Sequence, residues 1–404
     1  MSNLRRIALF FLTAVVMIAT ACEKNGQKEE PGEWTPYYDL TGLTVDGQFP
    51  IIAWTGITAE ESSYKMEVMR DCGINVYLGW YDTIDEVMTA LDNAQKAGVK
   101  AILNCDALFS DTANIVGRMK DHPALFAYHI EDEPETSEFD MLAEAVEKIM
   151  AFDKVHPCYI NLYPNWAWGK VDDYLSKVNA FLTKVPQRFV SFDHYPIREI
   201  DGVSSLRPEW YKNLEDIRRV SKAKKLPFWA FALALSHRLE DVIYPVPTIE
   251  ELRVQQFSNL VYGAQAFQYF TFHGLYREQK RPPYDMAKQV NAELQALSRI
   301  FLGAEVTDVW HTGATLPYGT KALTKMPSGI KSLKTSDGGA VVSRVVKNGN
   351  TYIAIVNKDY KNDMTLEIEF SGKATKYDSM GYKTDGVSGS SVLSPGNIVI
   401  YQIH

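Results

Sequence analysis

Cysteine is nearly absent from this chain, four residues in 404, which excludes a disulfide-stapled scaffold. Cys72, Cys105 and Cys158 lie inside apolar segments without metal-ligand spacing and are expected to be buried free thiols. Positive charge is also in deficit: 42 Lys and Arg face 50 Asp and Glu, a net charge of −8, so nucleic acid is not an expected partner. No Gly-rich phosphate turn or ribose-binding acid follows the first apolar strand, which counts against a doubly wound dinucleotide-binding sheet. HExxH and similar local ligand motifs are missing as well, and no cofactor is expected. The apolar run Ile7 to Ile18 is too short to span a bilayer comfortably.

What that run does offer is a signal. Arg5 and Arg6 precede it and Ala19-Thr20-Ala21 follow it, the charged start, apolar middle and small-residue end of a signal peptide over residues 1–21. Cys22 after those small residues resembles a bacterial lipobox, although Leu is missing from its usual place, and is the expected lipidation site. Residues 22–46 read as a tether and lead-in, polar as far as Trp34. The expected location is the cell envelope, lipid-anchored at the outer membrane on its periplasmic or cell-surface face.

With 46% hydrophobic and 12% aromatic residues, the chain can bury a large core and a smaller second one. From Phe49 onward, apolar runs alternate with amphipathic stretches eight times. The pattern predicts strands at Phe49 to Thr55, Ile74 to Trp80, Val99 to Cys105, Leu125 to Ile130, Cys158 to Tyr163, Phe189 to Asp193, Pro227 to Leu235 and Ala266 to Phe272. Helical segments such as Glu60 to Cys72, Ile84 to Ala97, Phe139 to Phe152 and Leu252 to Gly263 lie between them, and Met286 to Phe301 supplies the last. Eight βα units over residues 47–305 predict an α/β fold, the (β/α)8 TIM barrel. After Val306 the texture changes to strands separated by turns, with Asn348-Gly349 as a hairpin signal, and predicts a small C-terminal antiparallel β-sandwich over residues 306–404.

In such a barrel the chemistry sits at the carboxyl ends of the strands. Those ends carry Trp54; Trp80, Tyr81 and Asp82; Asn104 and Asp106; Glu131, Asp132 and Glu133; Tyr163, Asn165 and Trp166, with Trp168 close behind; Asp193, His194 and Tyr195; Ser236, His237 and Arg238; and His273. Aromatic faces stack on the apolar sides of pyranose rings while Asp, Asn and His bond hydroxyls, so the ring suits a neutral carbohydrate. His129, His194, His237 and His273 come from different strands, where spacing cannot exclude a zinc or manganese site; bonding to sugar hydroxyls is the expected role.

The densest signal is Phe126-Ala-Tyr-His-Ile-Glu-Asp-Glu-Pro134, an apolar strand that ends in three carboxylates. These cannot be buried without partners and must sit at a strand mouth. Here the chain resembles the clan A (β/α)8 glycoside hydrolases, among them family 5 and the family 42 beta-galactosidases, over Phe49 to about Ala304. In those enzymes strand four ends in Asn-Glu-Pro; Asp132-Glu133-Pro134 is similar, with Asp in place of Asn, a variant known from hydrolase-like lipoproteins of gut Bacteroidota. The resemblance implies Glu133 as acid/base and Asp132 as a sugar contact. Strand seven departs from the pattern, because Phe228-Trp-Ala-Phe-Ala-Leu-Ala-Leu-Ser-His237 has no Glu where the nucleophile should stand. Glu240 is a few residues late; Asp193 is the expected second carboxylate, with Asp106 next and Glu131, on the face of Glu133 by strand alternation, third. The expected function is cleavage of glycosidic bonds in a poly- or oligosaccharide. A non-catalytic sugar-binding barrel and a metal-dependent hydrolase are the competing classes.

Overall fold

The computed structural model describes residues 35–239 and 241–404; the expected signal peptide, Cys22, the expected tether through Trp34 and Glu240 lie outside the described residues. Eight strands pair in parallel and in sequence: β1 (Ile51–Trp54), β2 (Val76–Tyr81), β3 (Lys100–Cys105), β4 (Leu125–Asp132), β5 (Cys158–Leu162), β6 (Val190–Phe192), β7 (Phe228–Leu233) and β8 (Ala266–Phe270). β8 closes onto β1, so the sheet is a barrel without edges. Such strands need two apolar faces, and the period-two alternation supplies them. Ile52, Trp54, Val76, Leu78, Trp229 and Phe231 pack inside the barrel, whereas Ile51, Ala53, Tyr77, Ala230 and Ala232 join the outer core under the helices. Leu43 and Val45, from the lead-in, join the inner cluster with Phe126, Phe189 and Trp229.

The helices are α1 (Ser62–Asp71), α2 (Ile84–Ala97), α3 (Thr112–Met119), α4 (Phe139–Phe152), α5 (Tyr174–Lys184), α6 (Trp210–Lys224), α7 (Ile249–Tyr262) and α8 (Pro283–Phe301), with a single turn, Phe272–Leu275, between β8 and α8. Among the described residues no helix is long and apolar enough to cross a membrane. α2 shows how local sequence sets these ends: Thr83 and Glu86 form a reciprocal capping box, and Gly98 ends the helix at φ 72°. α7 is different, because it is buried along almost its whole length. Its polar residues are satisfied by the barrel: Gln255 Oε1 accepts from Leu233 N–H at 3.0 Å and Asn259 Nδ2 donates to Phe231 O at 3.1 Å. These bonds fix the end of β7.

The other side of α7 meets the C-terminal domain. A six-stranded sheet runs in the order β9 (Glu305–His311), β11 (Ala340–Lys347), β12 (Asn350–Asn357), β16 (Ile398–Ile403), β14 (Ala374–Tyr377) and Lys383–Thr384; a three-stranded sheet consists of β10 (Ile330–Thr335), β13 (Met364–Phe370) and β15 (Gly389–Leu393). Alternation again assigns the faces. Val342, Ile353, Ile355 and Tyr401 fill the space between the two sheets, while Val341, Val345, Ala354 and Ile400 belong to the same core as the barrel helices. Asn348 and Gly349, at φ 51° and 74°, make the two-residue hairpin between β11 and β12.

One element is not legible in the βα pattern. Hairpins from the loops after β6 (Ile197–Ile200 with Val203–Leu206) and after β7 (His237–Leu239 with Val242–Tyr244) pair into a four-stranded antiparallel sheet. It stands at the carboxyl ends of the strands and forms one side of the mouth.

Because barrel and sandwich share one apolar core through α7, residues 36–404 are expected to unfold in a single calorimetric transition. Val345→Asp, which buries an unpaired charge in that core, should cost about 3 kcal/mol or more and move the whole transition down. Two resolved transitions, of which only the later sequence responds, would contradict a shared core.

Candidate active site

The site begins with a defect in β4. Its pairing with β5 slips between His129 and Glu131, and Glu133, just beyond the strand, has a left-handed backbone with φ 52°. A bulge and a strained residue both re-aim side chains, the latter at a cost of about 1–3 kcal/mol. The consequence is that three consecutive carboxylates separate. Glu131 turns to a groove outside the barrel lined by Phe109, Met141 and Leu142. It therefore does not share a face with Glu133, and the simple alternation expected from the sequence fails at the bulge. Asp132 and Glu133 enter a cleft of about 430 Å³ at the barrel mouth.

Glu133 is held by its backbone, its N–H donating to Asn161 O at 2.9 Å. Its carboxyl is hydrogen-bonded to that of Asp193, at the end of β6. Asn161 on β5 joins the group: its Nδ2 donates to Asp132 Oδ1 at 3.2 Å and to Asp193 Oδ1 at 3.1 Å. Behind Asn161 a chain of donors crosses the barrel interior. Tyr159 OH donates to Gln268 Oε1 at 2.8 Å, Gln268 Nε2 to Ser191 Oγ at 2.9 Å, and Ser191 Oγ to Asn161 Oδ1 at 2.9 Å. Every dipole in the chain points toward the carboxylates.

Burial and crowding raise all three acids. Asp193, buried at the floor of the cleft, stands well above the ordinary carboxylate range, first through burial and then through the charges of Glu133 and Asp132. Burial, then the Asp132 charge, push Glu133 up to about 7, although its bond to Asp193 pulls the other way. Asp132 is raised to about 6 by burial; the Asn161 bond opposes this and the Glu131 charge adds to it. Near neutral pH the Glu133–Asp193 pair therefore holds a proton beside an ionised Asp132. Tyr195 stands beside Asp193, and its hydroxyl proton is held tightly by burial and by the charges of Asp193, Asp132 and Glu133.

The remainder of the cleft is aromatic. Trp54, Phe231 and Phe270 come from the barrel, Tyr163 and Trp166 from the loop after β5, and Tyr195, His237, Leu239 and Tyr244 from the loops and the mouth sheet. His237 stacks on Tyr244, with ring centroids 4.6 Å apart, and Arg207 lies 4.0 Å over Trp166 while donating to Tyr244 OH at 2.9 Å. Of the residues singled out in the sequence, Trp54, Asp132, Glu133, Tyr163, Trp166, Asp193, Tyr195 and His237 meet here. Trp80, Tyr81 and His273 line a neighbouring groove of about 470 Å³, next to the cleft at the Trp54–Trp80 contact.

Other expected contacts lie elsewhere. Asp106 is exposed at the start of a one-turn 3-10 helix and lines neither cavity. Asn165 is fully buried, its N–H on Asn213 Oδ1 and its Nδ2 on Glu209 O, so it anchors the loop to α6. His194 is buried with Nδ1 on Asn213 Oδ1 at 2.9 Å, and burial drives its pKa down to about 3. His129 packs among Trp54, Trp80 and Tyr159, and among the described residues no group of three His, Cys, Asp or Glu is arranged to hold a metal ion. Asn161, Ser191 and Gln268 went unread in the sequence. Their only signal is polarity at inward-facing positions of otherwise apolar strands.

By sequence the chain matches no family model and no curated protein. By fold it is similar to a Bacteroides fragilis protein carrying a provisional alpha-galactosidase assignment, at 11% identity and TM-score 0.52, over 89% of this chain and 79% of that one. Beta-galactosidases from Rahnella sp. R3 and from the haloarchaeon Halorubrum lacusprofundi match at 11% and 13% identity with TM-scores of 0.48 and 0.46, over 68% and 62% of this chain. The chain spans 59% and 58% of those two enzymes. The shared feature is the fold, a closed eight-stranded parallel barrel of the kind found in glycoside hydrolases.

The raised acids carry a pH signature that does not depend on a substrate. Below its ordinary value of 4.5, Glu133 is protonated whether the chain is folded or not; between 4.5 and about 7 only the folded form keeps the proton, so Glu133 lowers stability as pH rises. Glu133→Gln removes that penalty. The variant is expected to be more stable than the parent by about 1–2 kcal/mol at pH 8 and equal to it near pH 4, measured by denaturant titration. Equal stability at both pH values would mean that the Glu133 carboxyl is not desolvated.

Proposed function

We propose that this chain hydrolyses glycosidic bonds of an oligo- or polysaccharide, with Glu133 as the general acid that protonates the leaving oxygen and later the base that takes a proton from water. The observation that carries this reading is the proton-holding Glu133–Asp193 pair set in the wall of an aromatic cleft at the carboxyl ends of the strands. A group with a pKa near 7 is suited to give and take a proton at neutral pH. Asp193 interacts directly with Glu133, on the same side of the cleft as the acid. Its part is to share the proton of Glu133. Trp54, Trp166, Tyr195 and His237 supply stacking faces and hydroxyl partners for the sugar.

One observation favours a second reading, a carbohydrate-binding barrel without turnover: the chain leaves β7 through Ala234-Leu235-Ser236 with no carboxylate. Hydrolysis of a panel of oligosaccharides and aryl glycosides separates the two. In the first reading Glu133→Gln lowers kcat/KM by about 10²–10⁴ for natural linkages and much less for dinitrophenyl glycosides, whose leaving group needs no proton. The parent's kcat/KM should fall as pH rises through about 7, where Glu133 loses its proton. Unchanged cleavage of a natural linkage by the variant would remove Glu133 from the role, and binding without cleavage by the parent would favour the second reading.

The location forms part of the proposal. Ala19-Thr20-Ala21-Cys22 supports lipidation at Cys22 and attachment to the outer membrane, which brings the cleft to saccharides outside the cytoplasm. Cys22→Ala is expected to move the protein from the membrane fraction to the soluble fraction on cell fractionation. Retention in the membrane fraction would count against the anchor.

A further inference from the structure

The carboxylates of the cleft are all on one side. Asn161 Nδ2 reaches both Asp132 and Asp193, at 3.2 and 3.1 Å, and Asp193 touches Glu133. The acids come from β4 and β6, and the rest of the lining from the other half of the barrel, Trp54, Phe231 and Phe270 on β1, β7 and β8 with His237, Leu239 and Tyr244 above them. A nucleophile has to approach the anomeric carbon from the side opposite the leaving group, and hence opposite the acid. No described carboxylate that lines the cleft stands there. Tyr195 lines the cleft, but partly buried beside three acids it keeps its proton and is a poor nucleophile.

Resting on the hydrolase reading above, we propose that the nucleophile is carried by the substrate: the sugar is a 2-acetamido-2-deoxyhexoside, and its amide carbonyl oxygen attacks C1 while Asp132 holds the amide N–H. Asp132 has the position for this. It is the residue before the acid, it faces the cleft, one oxygen is engaged by Asn161, and among the described residues the other accepts no hydrogen bond. The apolar wall of Trp54, Phe231 and Phe270 suits the acetyl methyl group.

The step balances. The carbonyl oxygen forms a bond to C1 as the bond from C1 to the leaving oxygen breaks, and Glu133 gives that oxygen its proton. The resulting cationic oxazoline ring keeps its N–H on ionised Asp132. Water then adds to C1, Glu133 recovers a proton from it, and the bond from C1 to the acetamido oxygen reopens. Two displacements at C1 leave the configuration unchanged, so the acetamido group must be trans to the leaving group.

A 1,2-thiazoline of N-acetylglucosamine or N-acetylgalactosamine reproduces the fused ring and tests the idea by calorimetric binding, without any need for turnover. The parent protein is expected to bind one of them, and Asp132→Asn to weaken it at least tenfold. On 4-nitrophenyl β-glycosides, the 2-acetamido sugar should be cleaved about 10²-fold faster than its 2-hydroxy counterpart. Fluorination of the acetyl methyl group, which weakens the carbonyl oxygen, should slow it progressively. Absence of binding by both thiazolines overturns the proposal. Glu133-dependent cleavage of 2-hydroxy sugars at an equal rate, or loss of all cleavage in Glu240→Gln with no thiazoline inhibition, overturns it while leaving the hydrolase reading standing. Thiazoline binding weakened by Asp132→Asn in a protein that cleaves nothing keeps the site assignment and sinks the hydrolase reading.

Discussion

Asn161 offers one amide nitrogen to two carboxylates, and one of these touches a third. That arrangement needs a partner for the amide oxygen, and Ser191, Gln268 and Tyr159 provide it in a line through the barrel. An unsatisfied polar group there would cost about 1–3 kcal/mol, so the line is complete or the site does not form. The polarised chain lowers the cost of ionising Asp132 and Asp193, and burial raises it. Burial wins, which is why all three acids lie above their ordinary values. The inward polar positions of β5, β6 and β8 are thus dictated by the acids at the mouth. The rest of the interior, Ile52, Val76, Leu78, Ile102 and the ring of Trp229, packs as one apolar cluster beside this line.

The opposite wall depends on parts of the chain that carry no chemistry. β7 ends where Gln255 and Asn259 of α7 grip its backbone, and α7 is itself clamped between the barrel and the sandwich sheet. This fixes Phe231. The two hairpins after β6 and β7 then pair with each other, so that His237, Leu239 and Tyr244 stand against the cleft as parts of a sheet. A sandwich that contributes no residue to the cleft still sets its apolar face through a single helix.

The barrel was legible in the sequence because eight apolar runs with amphipathic spacers leave few other ways to bury both strand faces. The sandwich was legible from the Asn348-Gly349 turn and the alternation around it. Within the site, Glu133, Asp132 and Asp193 could be read because carboxylates at the ends of apolar strands need a reason to be there. Glu131 was misplaced because strand alternation assumes an unbroken register, and the slip after His129 is visible only in three dimensions. Asn165 and His194 have the composition of ligand contacts and serve instead as anchors to Asn213, a residue on a helix some distance along the chain. The hairpin sheet was read as strand ends, because the pairing of Ile243 with Glu199 is a long-range event without a local signal.

The bulge also sets how deeply each acid is buried. It sends Glu131 outward, leaves Asp132 at the exposed edge of the cleft and turns Glu133 in toward buried Asp193, so Asp132, Glu133 and Asp193 meet three degrees of burial. A bound saccharide would cover the edge and desolvate Asp132 further. An ionised Asp132 then survives only if the ligand returns a donor in place of the lost water, and without one it takes up a proton and the repulsion that raises Glu133 disappears. The site is therefore sensitive to what the ligand carries next to the scissile bond. A substituent with an N–H directed at Asp132 keeps that charge in place, and with it the repulsion that adds to burial in holding the proton on the Glu133–Asp193 pair.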